Sequence, residues 1–209
     1  MANGGRLTMQ CLKSIVNTII MYTRRFWVDT ETTGLSSAKH FAFQISYLIE
    51  ENNVILHSRT LELRPNDYEK YVFSKQAEAV HGYSRDKIVA LQPETEALTA
   101  LFQDLEQYGK DRLTITGYNI NFDIGFIKAM LNRGGAASAF YKYFDRMHCD
   151  IMQLVQACRI AGIICLPHIN LESVCRHFGI DTETTHHSMT DILNTRAVFN
   201  KITGILGAN

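Results

Sequence analysis

The order in which hydrophobic periods change along the chain narrows the folds open to it. Three strand-like segments come first, Arg25 to Thr30, Phe41 to Glu50 and Val54 to Leu63, and the last two are separated only by Glu51-Asn52-Asn53. A short polar link between two apolar runs predicts a hairpin, so the chain opens as an antiparallel meander. Helical periodicity then takes over, near Glu69 to Val80, from Ser84 to Ala90, and from Pro93 to Tyr108. The last of these has proline at its start, acids in its first turn, Leu98, Leu101, Phe102 and Leu105 on one face, and Gly109 as its stop. One later strand, Leu113 to Tyr118, leads into a helix from Asn121 to Arg133 ended by Gly134-Gly135. Helices near Ala139 to Met147, Asp150 to Gly162, Asn170 to Phe178 and Ser188 to Ile205 complete the pattern. Strands first and helices after, with one strand inserted late, predict an α/β domain: a mixed central sheet flanked by helices.

Composition sets the remaining bounds. With 209 residues, 46% hydrophobic and 20% charged, the chain has enough apolar mass for one domain with a substantial core. Lys plus Arg and Asp plus Glu balance at 21 each, so no overall field steers the protein onto polyanions. Nucleic-acid binding is neither implied nor excluded by charge. Five cysteines without a C-x-x-C argue against a disulfide framework and for a reducing compartment. Cys165, His168, Cys175 and His177 offer zinc-type ligands, but their spacing fits no standard finger, and Asn170 to Phe178 reads as a helix that buries Cys175. No run of about eighteen apolar residues exists, so no membrane span is expected. The first 28 residues carry Arg6, Lys13, Arg24 and Arg25 and no acid. Residues 1–22 are accordingly set apart as an extension before a domain over 23–209, with the cytoplasm as the expected location and a mitochondrial presequence as the alternative.

Chemistry concentrates at element ends. In Phe26-Trp27-Val28-Asp29-Thr30-Glu31-Thr32-Thr33-Gly34-Leu35, alternation along a strand puts Asp29 and Glu31 on one face and Thr30 on the other. Two like charges side by side raise a pKa or require a cation between them. A solvated pair on an edge strand is the plain alternative. At Gly117 to Asp123 a strand gives way to a helix with Asn121 as candidate cap, which places Asp123 in the first turn. In Thr185-His186-His187-Ser188-Met189-Thr190-Asp191, Ser188 and Asp191 resemble a capping box, leaving His186 on the preceding loop and His187 as a competing candidate. Four carboxylates and a histidine suit two hard divalent cations, Mg²⁺ or Mn²⁺, about 4 Å apart, with a neutral imidazole as general base.

Together these motifs resemble the DnaQ-like 3′-to-5′ exonucleases of the DEDDh group. "WVDTETTGL" is similar to the first motif of that family, "GYNINFDIGF" to its second and "HHSMTDILNT" to its third, while "EAVHG" at Glu78 to Gly82 is similar to the segment between the first two. The match spans residues 26 to about 199, in the order of the family. It implies a ribonuclease-H-like fold and two Mg²⁺ ions, replaceable by Mn²⁺. By the resemblance, Asp29 bridges both ions, Glu31 and Asp191 complete the nucleophile-side ion, Asp123 serves the leaving-group side, and His186 deprotonates the attacking water. Thr32, Thr33 and Leu35 would meet the terminal nucleotide, His81 and Asn119 would line its pocket, and Phe122 would pack on the sugar, with core packing the alternative for Leu35 and Phe122. The implied substrates are single-stranded DNA or RNA 3′ ends, with a DNA polymerase or replication complex as a protein partner such enzymes serve. Two rival readings are a partner-bound assembly module and a zinc-stabilised binding protein.

Overall fold

The computed structural model describes residues 24–109, 111–182 and 187–208; the N-terminal extension and His186 lie outside the described residues. Strands β1 (Arg24–Thr32), β2 (Ala42–Glu51), β3 (Val54–Glu62), β4 (Thr114–Gly117) and β5 (Cys149–Asp150) form one sheet in the order β3-β2-β1-β4-β5. The first three are antiparallel, and β4 and β5 run parallel to β1. This is the mixed sheet expected from the element order. The β2–β3 connection turns at Asn52 and Asn53, with φ of 52° and 65°. Asparagine tolerates the left-handed region, and two such residues match the twist of the flanking strands.

The helices are α1 (Lys75–His81), α2 (Arg85–Val89), α3 (Glu94–Tyr108), α4 (Asn121–Arg133), α5 (Ala139–Tyr143), α6 (Ile151–Ile160), α7 (Leu171–His177) and α8 (Ser188–Ala208). Alternation along β1 divides the core between two faces. Phe26 and Val28 join Ile45, Tyr47 and Ile49 under α3, α4 and α5, while Trp27 and Leu48 join Val155, Val174, Val198 and Ile202 under α6, α7 and α8. The α8 helix packs on β1 and β2, so the last helix of the described residues lies directly on their first strand. Buried ion pairs hold that crossing: Glu50 of β2 accepts from Arg25 of β1 at 3.3 Å and from Arg196 of α8.

Two local expectations are corrected. The helix expected over Glu69 to Val80 is a 3-10 turn at Tyr68–Lys70, an extended stretch, and then α1 capped by Ser74. In the extended stretch, Val72 N–H donates to Lys39 O at 2.9 Å and Ser74 N–H to Thr33 O at 2.8 Å, while the Tyr71 and Phe73 rings pack edge-on against Phe41. Tertiary contacts there outweigh helix propensity. The helix expected over Ala139 to Met147 ends at Tyr143, after which Phe144 bridges to Leu113 and the chain enters β5. A two-residue strand carries no alternation to read; its ladder with Thr116 and Gly117 defines it.

Candidate active site

The β1 strand delivers Asp29 and Glu31 on the same face as Trp27, towards α8, and a register shift against β2 falls between Glu31 and Thr32. A bulge of this kind re-aims side chains where a strand leaves its ladder. Asp191 arrives from the first turn of α8, its N–H donating to His187 O at 3.1 Å. Carboxylate oxygens of Asp29, Glu31 and Asp191 lie within 4.8 Å of one another. Asp123 stands outside that mutual group, in the first turn of α4, only 3% exposed.

The start of α8 is held by side chains that the sequence reading passed over. The Ser188 hydroxyl, read from sequence as half of a capping box, reaches across to β2: it donates to Gln44 Oε1 at 2.6 Å and shares a 2.6 Å hydrogen bond with Ser46 Oγ. In the β1–β2 register Gln44 opposes Glu31 and Ser46 opposes Asp29, so these contacts set Asp191 beside both acids. Two polar residues, Gln44 and Ser46, facing one way within the mostly apolar run Phe41 to Ile49 were the available signal.

Thr30 does point to the opposite face, as alternation requires, and there it anchors Asp123. Its N–H and its hydroxyl both donate to Asp123 Oδ1, at 2.9 and 2.7 Å. One strand therefore supplies two acids on one face and orients a third from the other. Asp150, also missed, accepts at Oδ1 from Asn119 N–H and from Met152 N–H, both at 3.0 Å, tying the β4–α4 turn to the start of α6. Asn119 makes that turn with φ of 57°, and Ile120, not Asn121, stands at the cap position of α4.

The remaining candidates surround the acids unequally. Leu35 is 87% exposed, which removes core packing as its explanation. The threonine hydroxyls are engaged within the turn: Thr32 Oγ1 donates to Gly34 O at 2.9 Å, and Thr33 Oγ1 accepts from Phe41 N–H at 3.2 Å. Phe122 is half-buried against Phe126, with ring centroids 4.9 Å apart, and belongs partly to the core. His81 accepts at Nδ1 from Tyr83 N–H at 3.0 Å, while its buried Nε2 has no hydrogen-bond partner among the described residues. The accepting Nδ1 leaves the proton on Nε2, pointing an unmatched donor from a small pocket it shares with Thr33 and Glu78. His187 is exposed beside α8. Among the described residues the zinc-type set does not converge: Cys165 is exposed and Cys175 is buried in the core.

The electrostatics are those of a crowded anion site. Burial, then the charges of Asp123, Asp191 and Glu31, hold the Asp29 carboxyl well above the usual carboxylate range. Burial and the charges of Asp191 and Asp123 push Glu31 up to about 7. Burial raises Asp123 as well, partly offset by the Thr30 hydrogen bonds. An all-oxygen donor set whose members repel one another fits hard divalent cations, which would relieve that repulsion.

The exonuclease family model matches residues 26–199. The chain belongs to the exonuclease family. No curated protein matched it at the sequence level. Solved structures of exonuclease I share the fold. One, described as suggesting how processivity is achieved, is 20% identical, with a TM-score of 0.73 over 89% of this chain and 42% of that one. E. coli exonuclease I with a dT13 oligonucleotide is 22% identical, with a TM-score of 0.72 over 86% and 41% of the two chains. The zinc-bound complex of the E. coli enzyme with single-stranded DNA is 20% identical, with a TM-score of 0.69 over 84% and 39%. The present chain thus spans about two fifths of the length of these structures.

Within this exonuclease-family site, Thr30 yields a direct test. Thr30→Val keeps the shape and deletes the hydroxyl that stabilises the ionised form of Asp123. Mn²⁺ affinity measured by calorimetry at neutral pH is expected to fall about 10-fold. Thr30→Ser should restore it. Unchanged affinity in Thr30→Val would show that Asp123 needs no such support.

Proposed function

We propose that the protein is a divalent-metal-dependent 3′-to-5′ exonuclease that releases 5′-mononucleotides from single-stranded DNA. The observation that carries this reading is the convergence of Asp29, Glu31 and Asp191 within 4.8 Å, with Asp123 buried beside them, in a chain of the exonuclease family. DNA is favoured over RNA because E. coli exonuclease I was solved with dT13 and dA16 oligonucleotides.

Asp29, Glu31 and Asp191 would hold one cation, and Asp29 with Asp123 a second, both taken here as Mg²⁺ with Mn²⁺ as substitute. Ions held there would supply activation of a water and charge neutralisation at the departing 3′ oxygen. The protein's own groups do the rest. Thr30 keeps one oxygen of Asp123 occupied and so fixes which oxygen faces the site. His186, two residues before α8 in the chain, is assigned the proton of the attacking water, since the ordinary pKa of an imidazole leaves much of it neutral and able to accept a proton near neutral pH. Leu35 stands free beyond Gly34 and serves as a wedge against the terminal base. Thr32 and Thr33 brace the turn that presents it, and His81 Nε2–H and Asn119 are assigned to the terminal nucleotide.

The test uses matched 5′-labelled and 3′-labelled single-stranded DNA and RNA with Mg²⁺, Mn²⁺ or EDTA, alongside His186→Ala. The expected result is shortening from the 3′ end that EDTA abolishes, that His186→Ala loses and that is faster on DNA. Internal cleavage, or turnover that persists in EDTA, would overturn the reading. Faster turnover of RNA would reassign the substrate.

A further inference from the structure

The outer edge of the sheet holds a second feature, which the reaction above does not use. A pocket of about 130 Å³ opens between α4, α5 and the segment leading into β5, lined by Asn121, Lys128, Tyr141, Asp145, Arg146 and His148 among others. Asn121 and Lys128 stand two helical turns apart, about 10 Å at 1.5 Å per residue. The pocket therefore begins at the α4 N-terminus, beside the turn that carries Asp123, and leads away along the helix.

Its chemistry departs from that of the whole chain. In a protein whose charges balance at 21 and 21, this pocket gathers Lys128, Arg146 and an imidazole against one carboxylate, Asp145, which already accepts from Thr114 Oγ1 at 3.3 Å. Arg146 and His148 are exposed and make no hydrogen bond or ion pair with any described residue. Lys128 Nζ sits 4.5 Å from the centroid of the Phe140 ring and 5.2 Å from that of Tyr141, and donates to the Tyr141 hydroxyl at 3.3 Å. Tyr141 nevertheless remains 52% exposed. Cations ready for an anion beside an exposed aromatic ring form the combination that grips single strands without reading their sequence.

We propose that this pocket is a phosphate subsite for the strand on the 5′ side of the cleaved linkage, with Lys128 and Arg146 meeting a backbone phosphate and Tyr141 meeting an adjoining base. The inference rests on the exonuclease reading. The pocket is smaller than the roughly 300 Å³ at which sites for whole small-molecule ligands begin, so it suits one phosphate group while the base stays on the open ring. A grip at this point holds the strand while its shortened end moves up to the acids, so it acts on long substrates and is out of reach of short ones.

The experiment compares a dinucleotide with an oligodeoxynucleotide of about ten residues. For the Lys128→Gln/Arg146→Gln protein, KM on the long substrate is expected to rise roughly 10-fold with kcat little changed, and the salt dependence of kcat/KM to become shallower by about one unit of slope. Kinetics on the dinucleotide should stay as in the wild type. Arg146→Gln alone, at an exposed position, should reproduce part of the effect without disturbing the fold. An unchanged KM on the long substrate, or equal losses on both substrates, would overturn the proposal. Fluorescence anisotropy with the same labelled oligonucleotide in EDTA reads the subsite without turnover. Binding that depends on Arg146 in a protein that cleaves nothing would retain the subsite and sink the exonuclease reading.

Discussion

Asp29→Asn is expected to lower nucleotide release from a single-stranded DNA 3′ end by at least about 10³-fold, because it removes several kcal/mol of transition-state charge stabilisation. Asp29 is the carboxylate shared between the two groups of acids: it lies in the mutual cluster with Glu31 and Asp191, and Asp123 exerts the largest charge effect upon it. Asparagine preserves the shape and halves the ligand capacity, so the fold should survive. In EDTA the variant should melt at a higher temperature than the wild type at pH 8, since one of four crowded acids has lost its charge. A variant both inactive and more stable would identify Asp29 as a residue held against the interest of stability. Metal-dependent turnover near the wild-type rate would remove Asp29 from the site.

The second large effect is on stability itself. Metal-free protein is expected to lose melting temperature as pH rises from about 5 to about 8, and Mn²⁺ to restore it at the upper end only. The sign follows from Glu31, whose folded pKa is raised from 4.5 to about 7. Between those two values the folded state binds more protons than the unfolded chain, so stability falls with rising pH until the folded carboxyl has ionised. Asp29 and Asp123 are shifted in the same direction and add to the slope. The Glu31 shift alone corresponds to roughly 3 kcal/mol. With each kcal/mol moving the melting of a chain of this size by about 2–4 °C, the expected fall is roughly 6–12 °C. Scanning calorimetry in EDTA across that range measures it. A flat profile would mean that the acids repel one another far less than their spacing requires.

Much of the site was legible because its residues stand where element ends announce themselves. Asp29 and Glu31 share a face by alternation, and Asp123 and Asp191 fall in first helical turns. The support around them was not legible. Gln44, Ser46 and Ser188 meet across more than a hundred residues of chain, and Ser188 alone looked like half of a capping box. Thr30 read as a residue pointing away, and only the position of α4 shows that away means towards Asp123.

The sequence by itself determined the local matters: the order of the first four strands and most of the helices, the hairpin turn after β2, and the placing of Asp29, Glu31, Asp123 and Asp191 at element ends. Each depends on periodicity or on backbone preference within a few residues. Only the tertiary structure decided which elements become neighbours. It laid α8 over β1 and β2, with Glu50 buried between Arg25 and Arg196, made β5 from two residues by pairing them with β4, and kept Tyr71 to Ser74 extended against Phe41 and the β1 turn. The physical reason is one of range: propensity acts between residues close in the chain, whereas burial and electrostatic crowding exist only once distant segments have packed together.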